Sequence, residues 1–289
     1  MSQAFSYLGF MKVLSHSLFL CLLLYPFLLF SQEILHTSLS LTELDKKKSE
    51  VVLLKNQGEL LPISDLGEKR ILHISFDAKG KDFFQNSLAL YAPVLNIRMR
   101  LADLPDRLDR IQELANASNL VILSLHNSVS YSGLSTNERL VIRDFWQKLY
   151  KQPHTITTFF GSEEELQKLD VLSKSPVLLF SPSEHPINQE YCAQIIYGAI
   201  SSQGRLRKDI GRNFHKGNGL RTTGDIRLSY NKAEAVNWDS ERLKRRIDSL
   251  IEMAIDSMAF PGCQVVVAKN NQVVFNQSYG HHNYEKTRP

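Results

Sequence analysis

Two short pairs of residues carry most of the chemistry this sequence offers. His126-Asn127 follows the run Leu120-Val121-Ile122-Leu123-Ser124-Leu125. Glu184-His185 follows Pro176-Val177-Leu178-Leu179-Phe180 and the turn Ser181-Pro182-Ser183. Apolar runs of this length, bounded by polar residues, read as buried strands. Open α/β sheets place ligands beyond the carboxyl ends of their strands. His126, Glu184 and His185 are therefore the candidate substrate-binding residues. The plainer alternatives are a loop histidine satisfied by backbone and a solvated loop.

Other chemistry is sparse. His281-His282 are neighbours on an expected strand and so point to opposite faces, which argues against a shared metal ion. Gly217-Asn218-Gly219 lacks the preceding strand and following helix of a phosphate-binding loop and reads as connection. The three cysteines, Cys21, Cys192 and Cys263, form no Cys-x-x-Cys or Cys/His metal spacing. Cys192 and Cys263 read as small buried hydrophobes, and a disulfide between them stays open under export. No cofactor and no metal is expected. The net charge of +4, from 34 basic and 30 acidic residues, is too small a bias to indicate a nucleic-acid partner.

The elements that must position these residues alternate. Thr42-Glu43-Leu44-Asp45 reads as a helix start capped by Thr42. Val51 to Leu54 is apolar and ends at the turn signal Asn56-Gln57-Gly58. Strands are expected at Ile71–Phe76, Leu120–Leu125, His154–Phe160 and Pro176–Phe180. Helical spacing marks Leu101–Ala115, Thr136–Tyr150 (capped by Ser135 or Thr136) and Gln189–Ile200, with a short helix opening at Ser162. The fold class this predicts is α/β: a mostly parallel sheet sandwiched by helices, then a helix and β-hairpin of an incomplete second domain. From Gly211 to Trp238 the pattern weakens and suggests a connecting segment. An amphipathic helix follows, with Leu243, Ile247, Leu250, Ile251 and Ala254 on one side. Val265–Ala268 and Gln272–Gln277 then flank a turn at Asn270-Asn271.

At the front, Met11-Lys12 precedes a run of about a dozen apolar residues, Leu18 to Phe30, and then Ser31-Gln32-Glu33. Residues 1–32 are expected to be a signal peptide or an uncleaved N-terminal anchor. The run is short for a membrane span, which takes roughly 20 apolar residues. The expected location is exported, periplasmic or extracellular, with membrane contact only through that segment.

Val51-Val52-Leu53-Leu54-Lys55-Asn56-Gln57-Gly58-Glu59-Leu60-Leu61-Pro62-Ile63 resembles the opening of the C-terminal domain of family 3 glycoside hydrolases. Leu120 to Asn127 resembles that domain's central strand. Tyr197-Gly198-Ala199-Ile200 and Gly204-Arg205-Leu206 resemble its last helix and following turn, with Arg207 where the family usually has proline. The resemblance covers about Leu41 to Leu220 and implies a domain over 33–220, some of whose loops close a sugar site. Family members carry the catalytic (β/α)₈ barrel ahead of this domain, and this chain goes from leader to the C-terminal-like domain without one. A separate barrel subunit is then an implied partner, with glycan or peptidoglycan fragments as ligands. No pair of carboxyl groups can be assigned to retaining glycoside hydrolysis, so the chain as it stands is expected to be catalytically silent.

Phe260-Pro261-Gly262-Cys263, the hairpin after it and Gly280-His281-His282-Asn283-Tyr284 resemble the start of a class C β-lactamase-like serine hydrolase domain. No Ser-x-x-Lys nucleophile motif follows that segment. Residues 221–289 then read as linker and the start of this domain. The order of the two modules resembles fused N-acetylglucosaminidase/serine hydrolases of cell-wall metabolism. The rival reading is a non-catalytic α/β module that binds glycan or protein.

Overall fold

The computed structural model describes residues 39–127, 131, 133–152 and 154–285. The expected signal or anchor segment lies outside the described residues. Among those described, no helix is long and apolar enough to cross a membrane. The chain forms two compact units. One comprises 39–248 and 266–275, the other 249–265 and 276–285.

The larger unit is α/β. Its six-stranded sheet contains β1 (Val52–Asn56), β2 (Ile71–Phe76), β3 (Val94–Met99), β4 (Leu120–His126), β5 (Thr155–Phe160) and β6 (Val177–Ser181). Their order is β1-β6-β5-β4-β2-β3. β1 runs antiparallel to β6, and every other neighbouring pair is parallel. The helices before, between and after them are α1 (Leu41–Glu50), α2 (Phe83–Ala89), α3 (Leu104–Ala117), α4 (Thr136–Leu149), α5 (Glu163–Lys168) and α6 (Pro186–Ile196). The central strands β2, β4, β5 and β6 are buried along their whole length, as strands covered on both faces must be. Period-two alternation splits each strand between two cores. Leu72, Ile74, Val121 and Leu123 meet α3 and α4, whereas Ile71, Leu120, Ile122 and Val177 meet α2 and α6. The fold class expected from the sequence is the one observed.

Local chemistry sets the boundaries. Ser135 caps α4 and Ser162 caps α5, each with a glutamate three residues on completing a capping box. α1 is capped by Ser40, with Glu43 closing the box, rather than by Thr42. Thr42 already lies inside the helix. Pro105 occupies the first turn of α3, where its missing N–H removes no helical bond. Helix α2 and strand β3 have no counterpart in the sequence reading. α2 is one short run, and β3 is an edge strand with only Met99 buried.

The Val51–Pro62 motif acquires a physical role. Asn56 at the end of β1 clamps the following turn twice: its Nδ2 donates to Leu61 O at 2.9 Å, and Leu61 N donates to its Oδ1 at 2.9 Å. Replacing Asn56 with alanine removes both bonds and is expected to cost about 2 kcal/mol. Urea unfolding checks this, and an unchanged midpoint would show that the clamp contributes nothing.

The connecting segment is tied to this edge. Leu220 N donates to Leu53 O at 2.7 Å, so the free side of β1 is partly satisfied by its own chain. Phe214 from the same segment is buried in the core, as are Leu206 and Ile210 just ahead of it. Sequence hydropathy missed this because the anchors are spaced singly among polar residues.

A three-stranded sheet of order β7-β9-β8 follows, with β7 (Ser229–Tyr230), β8 (Gly262–Lys269) and β9 (Gln272–Gly280). Helix α7 (Ser240–Asp256) lies between β7 and β8 in the chain. In the smaller unit, a Cβ on Gly262 would fall 2.5 Å from the carbonyl oxygens of both Tyr279 and His281. The Pro261-Gly262-Cys263 motif therefore marks a backbone crossing too close for any side chain. Both described cysteines are free; Cys192 is buried and Cys263 half-buried. Burial pushes the Cys192 thiol well above its usual range.

Candidate functional site

The strand order creates the site. From β2 the chain crosses to β3 on one side, then returns over β2 to β4 and continues to β5 and β6 on the other. The carboxyl ends of β2 and β4 are thus neighbours from which the connections diverge. Such a switch point leaves a crevice that open α/β sheets use for ligands. Here it holds a cavity of about 730 Å³ lined by Asp77, Lys79, Arg98, Arg107, His126 and Asn127, among others.

Asp77 and Asn127 are placed by the ends of strands, and Arg107 comes from α3. Asp77 follows β2 and Asn127 follows β4, and both have left-handed backbone, with φ of 60° and 49°. Asn and Asp tolerate that region better than other non-glycine residues. The backbone N–H groups of the two continue the sheet's pattern: Asp77 N donates to Met99 O at 3.0 Å and Asn127 N to Phe160 O at 2.8 Å. The left-handed step then turns each chain out of the sheet around the cavity. Strained backbone of this kind collects at functional sites. Asp77 Oδ1 accepts from Leu101 N at 3.2 Å. Asn127 Oδ1 is buried and, among the described residues, has no partner. Arg98 donates from Nη1 to Gly80 O at 2.6 Å and from Nη2 to Ala78 O, which holds the loop after β2 against β3. Arg100 and Asp103 pair across the rim at 2.6 Å.

Behind the cavity lies a buried polar chain that the sequence did not announce. His126 Nε2 is 3.2 Å from Ser124 Oγ, and the same oxygen is 2.9 Å from His73 Nε2. His73 Nδ1 is 3.0 Å from Asn96 Oδ1. Asn96 Nδ2 donates to Val94 O at 3.0 Å. Beside this chain, Ser75 Oγ donates to Asp82 Oδ2 at 2.7 Å, and Gln85 N donates to Asp82 Oδ1 at 2.9 Å. His73, Ser75, Ser124 and His126 share one sheet face because they occupy alternate positions on β2 and β4. Aromatic rings shield them. Phe160 stacks on His126 at 4.9 Å between centroids, and Phe84 meets both His73 and Phe160 edge-on at 5.3 Å.

Burial sets the electrostatics. It lowers the His126 imidazole to about 4, with charges on His73 and Arg98 adding to the effect and Asp82 opposing it. Burial also lowers His73, against the pull of Asp82 and Asn96. For Asp82 burial acts upward, but His73 and the hydrogen bonds from Gln85 and Ser75 outweigh it and leave the carboxyl below its usual range. Both histidines are therefore neutral and Asp82 is ionised at neutral pH.

His126 lines the cavity. Glu184 stands after β6, and burial raises its carboxyl, with Lys79 opposing and Glu165 and Asp77 adding to the rise. His185 serves the fold: its Nδ1 accepts from Ile187 N at 3.2 Å and caps α6. The sequence reading named Asn127 beside His126 without counting it a binding candidate, and it passed over Asp77 and Arg98. The signal for Asp77 and Asn127 was a polar residue directly after each of two buried strands. Nothing local in the sequence marks Arg98, because β3 itself was not recognised. Among the described residues, no group of three or more His, Cys, Asp or Glu could hold a metal ion.

A Ser-x-x-Lys spacing, overlooked in the sequence, occurs at Ser229–Lys232. Ser229 lies in β7 and Lys232 just beyond it, rather than on one helix face. Ser229 Oγ donates to Asn271 O at 3.3 Å, and Lys232 Nζ to Leu39 O at 2.9 Å. Both are engaged by backbone, and the pair is not a nucleophile site.

The sequence matches no family model, and no curated protein matches it. Among solved structures, the chain is similar to a glycoside hydrolase family 3 β-N-acetylglucosaminidase from Paenibacillus sp. str. FPU-7, with 15% identity over 58% of this chain and 32% of that one and a TM-score of 0.47. It is similar to a fungal multi-domain family 3 β-N-acetylglucosaminidase at 14% identity over 81% of this chain and 29% of that one, again with a TM-score of 0.47. A β-glucosidase from Listeria innocua in complex with isofagomine matches at 18% identity over 58% of this chain and 26% of that one, with a TM-score of 0.44. The matched stretch spans about a third or less of each of those proteins.

Proposed function

We propose that the larger unit is the glycan-holding module of an exported, carbohydrate-active hydrolase of the family 3 kind, acting on cell-wall glycan. The observation that carries this reading is the switch-point cavity. A sugar offers many hydroxyls, each a donor and an acceptor. The cavity offers them the side chain of Asn127, the neutral His126 and the guanidinium of Arg107. The Val51–Pro62 motif supports the family, since its Asn56 clamp gives those residues a structural reason to occur together. The smaller unit, with its Pro261-Gly262-Cys263 crossing, is proposed as the opening of a β-lactamase-like serine hydrolase fold.

The larger unit is expected to bind without cleaving. Retaining hydrolysis takes two carboxyl groups free to act on one sugar. Of the two carboxylates lining the cavity, Asp77 accepts from Leu101 N and Asp103 is paired with Arg100. A barrel, on this polypeptide or another, would supply the chemistry.

The test is titration of the chain with N,N′-diacetylchitobiose, followed by amide NMR, beside an assay with 4-nitrophenyl N-acetyl-β-D-glucosaminide. Saturable binding at the cavity and no turnover are expected. Asn127→Gly keeps the left-handed backbone, removes the amide and should weaken binding by about tenfold. No binding by the wild-type chain would sink the glycan reading, and turnover by the chain alone would sink the non-cleaving role.

A further inference from the structure

The buried chain behind the cavity has a direction. Val94 O can only accept, so Asn96 must face it with Nδ2 and present Oδ1 to His73. His73 therefore carries its proton on Nδ1 and leaves Nε2 bare. Ser124 must donate its hydroxyl hydrogen to that bare nitrogen, 2.9 Å away. The Ser124 oxygen then accepts from His126, 3.2 Å away, which requires a proton on His126 Nε2. Every step follows from the one before, starting at an edge-strand asparagine that does not line the cavity. Two histidines joined through one hydroxyl end in opposite tautomers.

The consequence appears at the cavity wall. Among the described residues, no hydrogen bond reaches His126 Nδ1, and His126 lines the cavity. We propose that Asn96, His73 and Ser124 act as positioning residues that lock His126 as a hydrogen-bond acceptor at Nδ1, and that this nitrogen receives a hydroxyl of the ligand. The cavity thereby selects a ligand that donates at this point, such as a sugar hydroxyl, over one that presents only an acceptor, such as a carboxylate or carbonyl. This specificity rests on the reading of the cavity as a glycan site. The lock itself does not.

The experiment is long-range ¹H–¹⁵N correlation of the histidine rings at pH 7 in the full chain, wild type and Asn96→Ala, with and without N,N′-diacetylchitobiose. In the wild type, His73 should show a protonated Nδ1 and His126 a protonated Nε2 with Nδ1 bare. Chitobiose should shift the His126 Nδ1 resonance. Asn96→Ala frees His73 to carry its proton on Nε2, which lets the chain run backwards. A population of His126 protonated on Nδ1 should then appear, and chitobiose affinity should fall by roughly three- to tenfold, the worth of one neutral hydrogen bond. A purely structural role for Asn96 would leave the tautomers unchanged. A protonated Nδ1 in the wild type overturns the inference whether or not chitobiose binds. So does chitobiose binding that leaves Nδ1 unmoved, or an Asn96→Ala spectrum identical to wild type. A bare Nδ1 with no chitobiose binding at all overturns the glycan reading instead.

Discussion

Lowering the pH from 7 to 4.5 is expected to destabilise the larger unit by about 2–3 kcal/mol through His126 alone. The folded protein holds this imidazole at about 4, below its ordinary value of 6.5, chiefly by burial. The unfolded chain therefore binds more protons between those two values, and stability rises with pH across that window. The contribution is fully present above 6.5 and is lost as pH falls toward 4. His73 is shifted in the same direction by burial and steepens the loss. Asp82 has a lowered carboxyl, so its own contribution persists to lower pH and disappears only below the ordinary carboxylate range. Urea unfolding at pH 7 and 4.5 measures the difference. His126→Gln retains a hydrogen-bonding side chain but cannot be charged, and its two midpoints should lie closer together than those of wild type. An equally steep pH dependence in that variant would show that acid acts elsewhere.

Gly204→Ala is expected to cost 3 kcal/mol or more, near the upper end for overpacking in a core. A Cβ at this position would sit 2.0 Å from Val51 O and 3.0 Å from Ser49 O. Both obstacles are backbone, Ser49 in the last turn of α1 and Val51 between α1 and β1, so neither can rotate away. Gly204 begins the segment that returns along β1 to place Leu220 against Leu53. The variant should therefore loosen the edge of the sheet as well as lower the midpoint. Gly217→Ala is the control. Its added methyl would meet nothing within 4 Å, and only its positive φ of 87° counts against alanine. That strain should cost about 1–2 kcal/mol. Equal losses in the two variants would refute the close-approach argument. Hydrogen exchange at Leu220 N would show whether the segment has detached.

Gly204 and His126 were legible in the sequence to very different degrees. Gly204 stood in a recognised motif, but its reason, the backbone of Val51 passing beneath it, required residues some 150 positions apart to meet. His126 was legible as the residue after a buried strand. Its partners were not, because the chain from Asn96 through His73 and Ser124 joins three strands, one of them never recognised. Polar residues inside strands also look like defects in an apolar pattern until their register aligns them. His185 has a structural role as well. Its position after a strand suggested a ligand, yet the local backbone uses it as a helix cap.

What the sequence determined by itself is the alternation of elements. The fully apolar strands, the capping boxes and the Asn56 turn depend on residues within a few positions of one another, where pattern and propensity act directly. Tertiary structure alone decided the strand order and therefore the site. Pairing β2 with β3 on one side and β4 on the other created the switch point, brought Asp77 beside Asn127 and lined up His73 with Ser124. Local pattern is indifferent to which buried strand lies next to which. That choice is made by the packing of the helices over both faces and by hydrogen bonds between residues far apart in the chain.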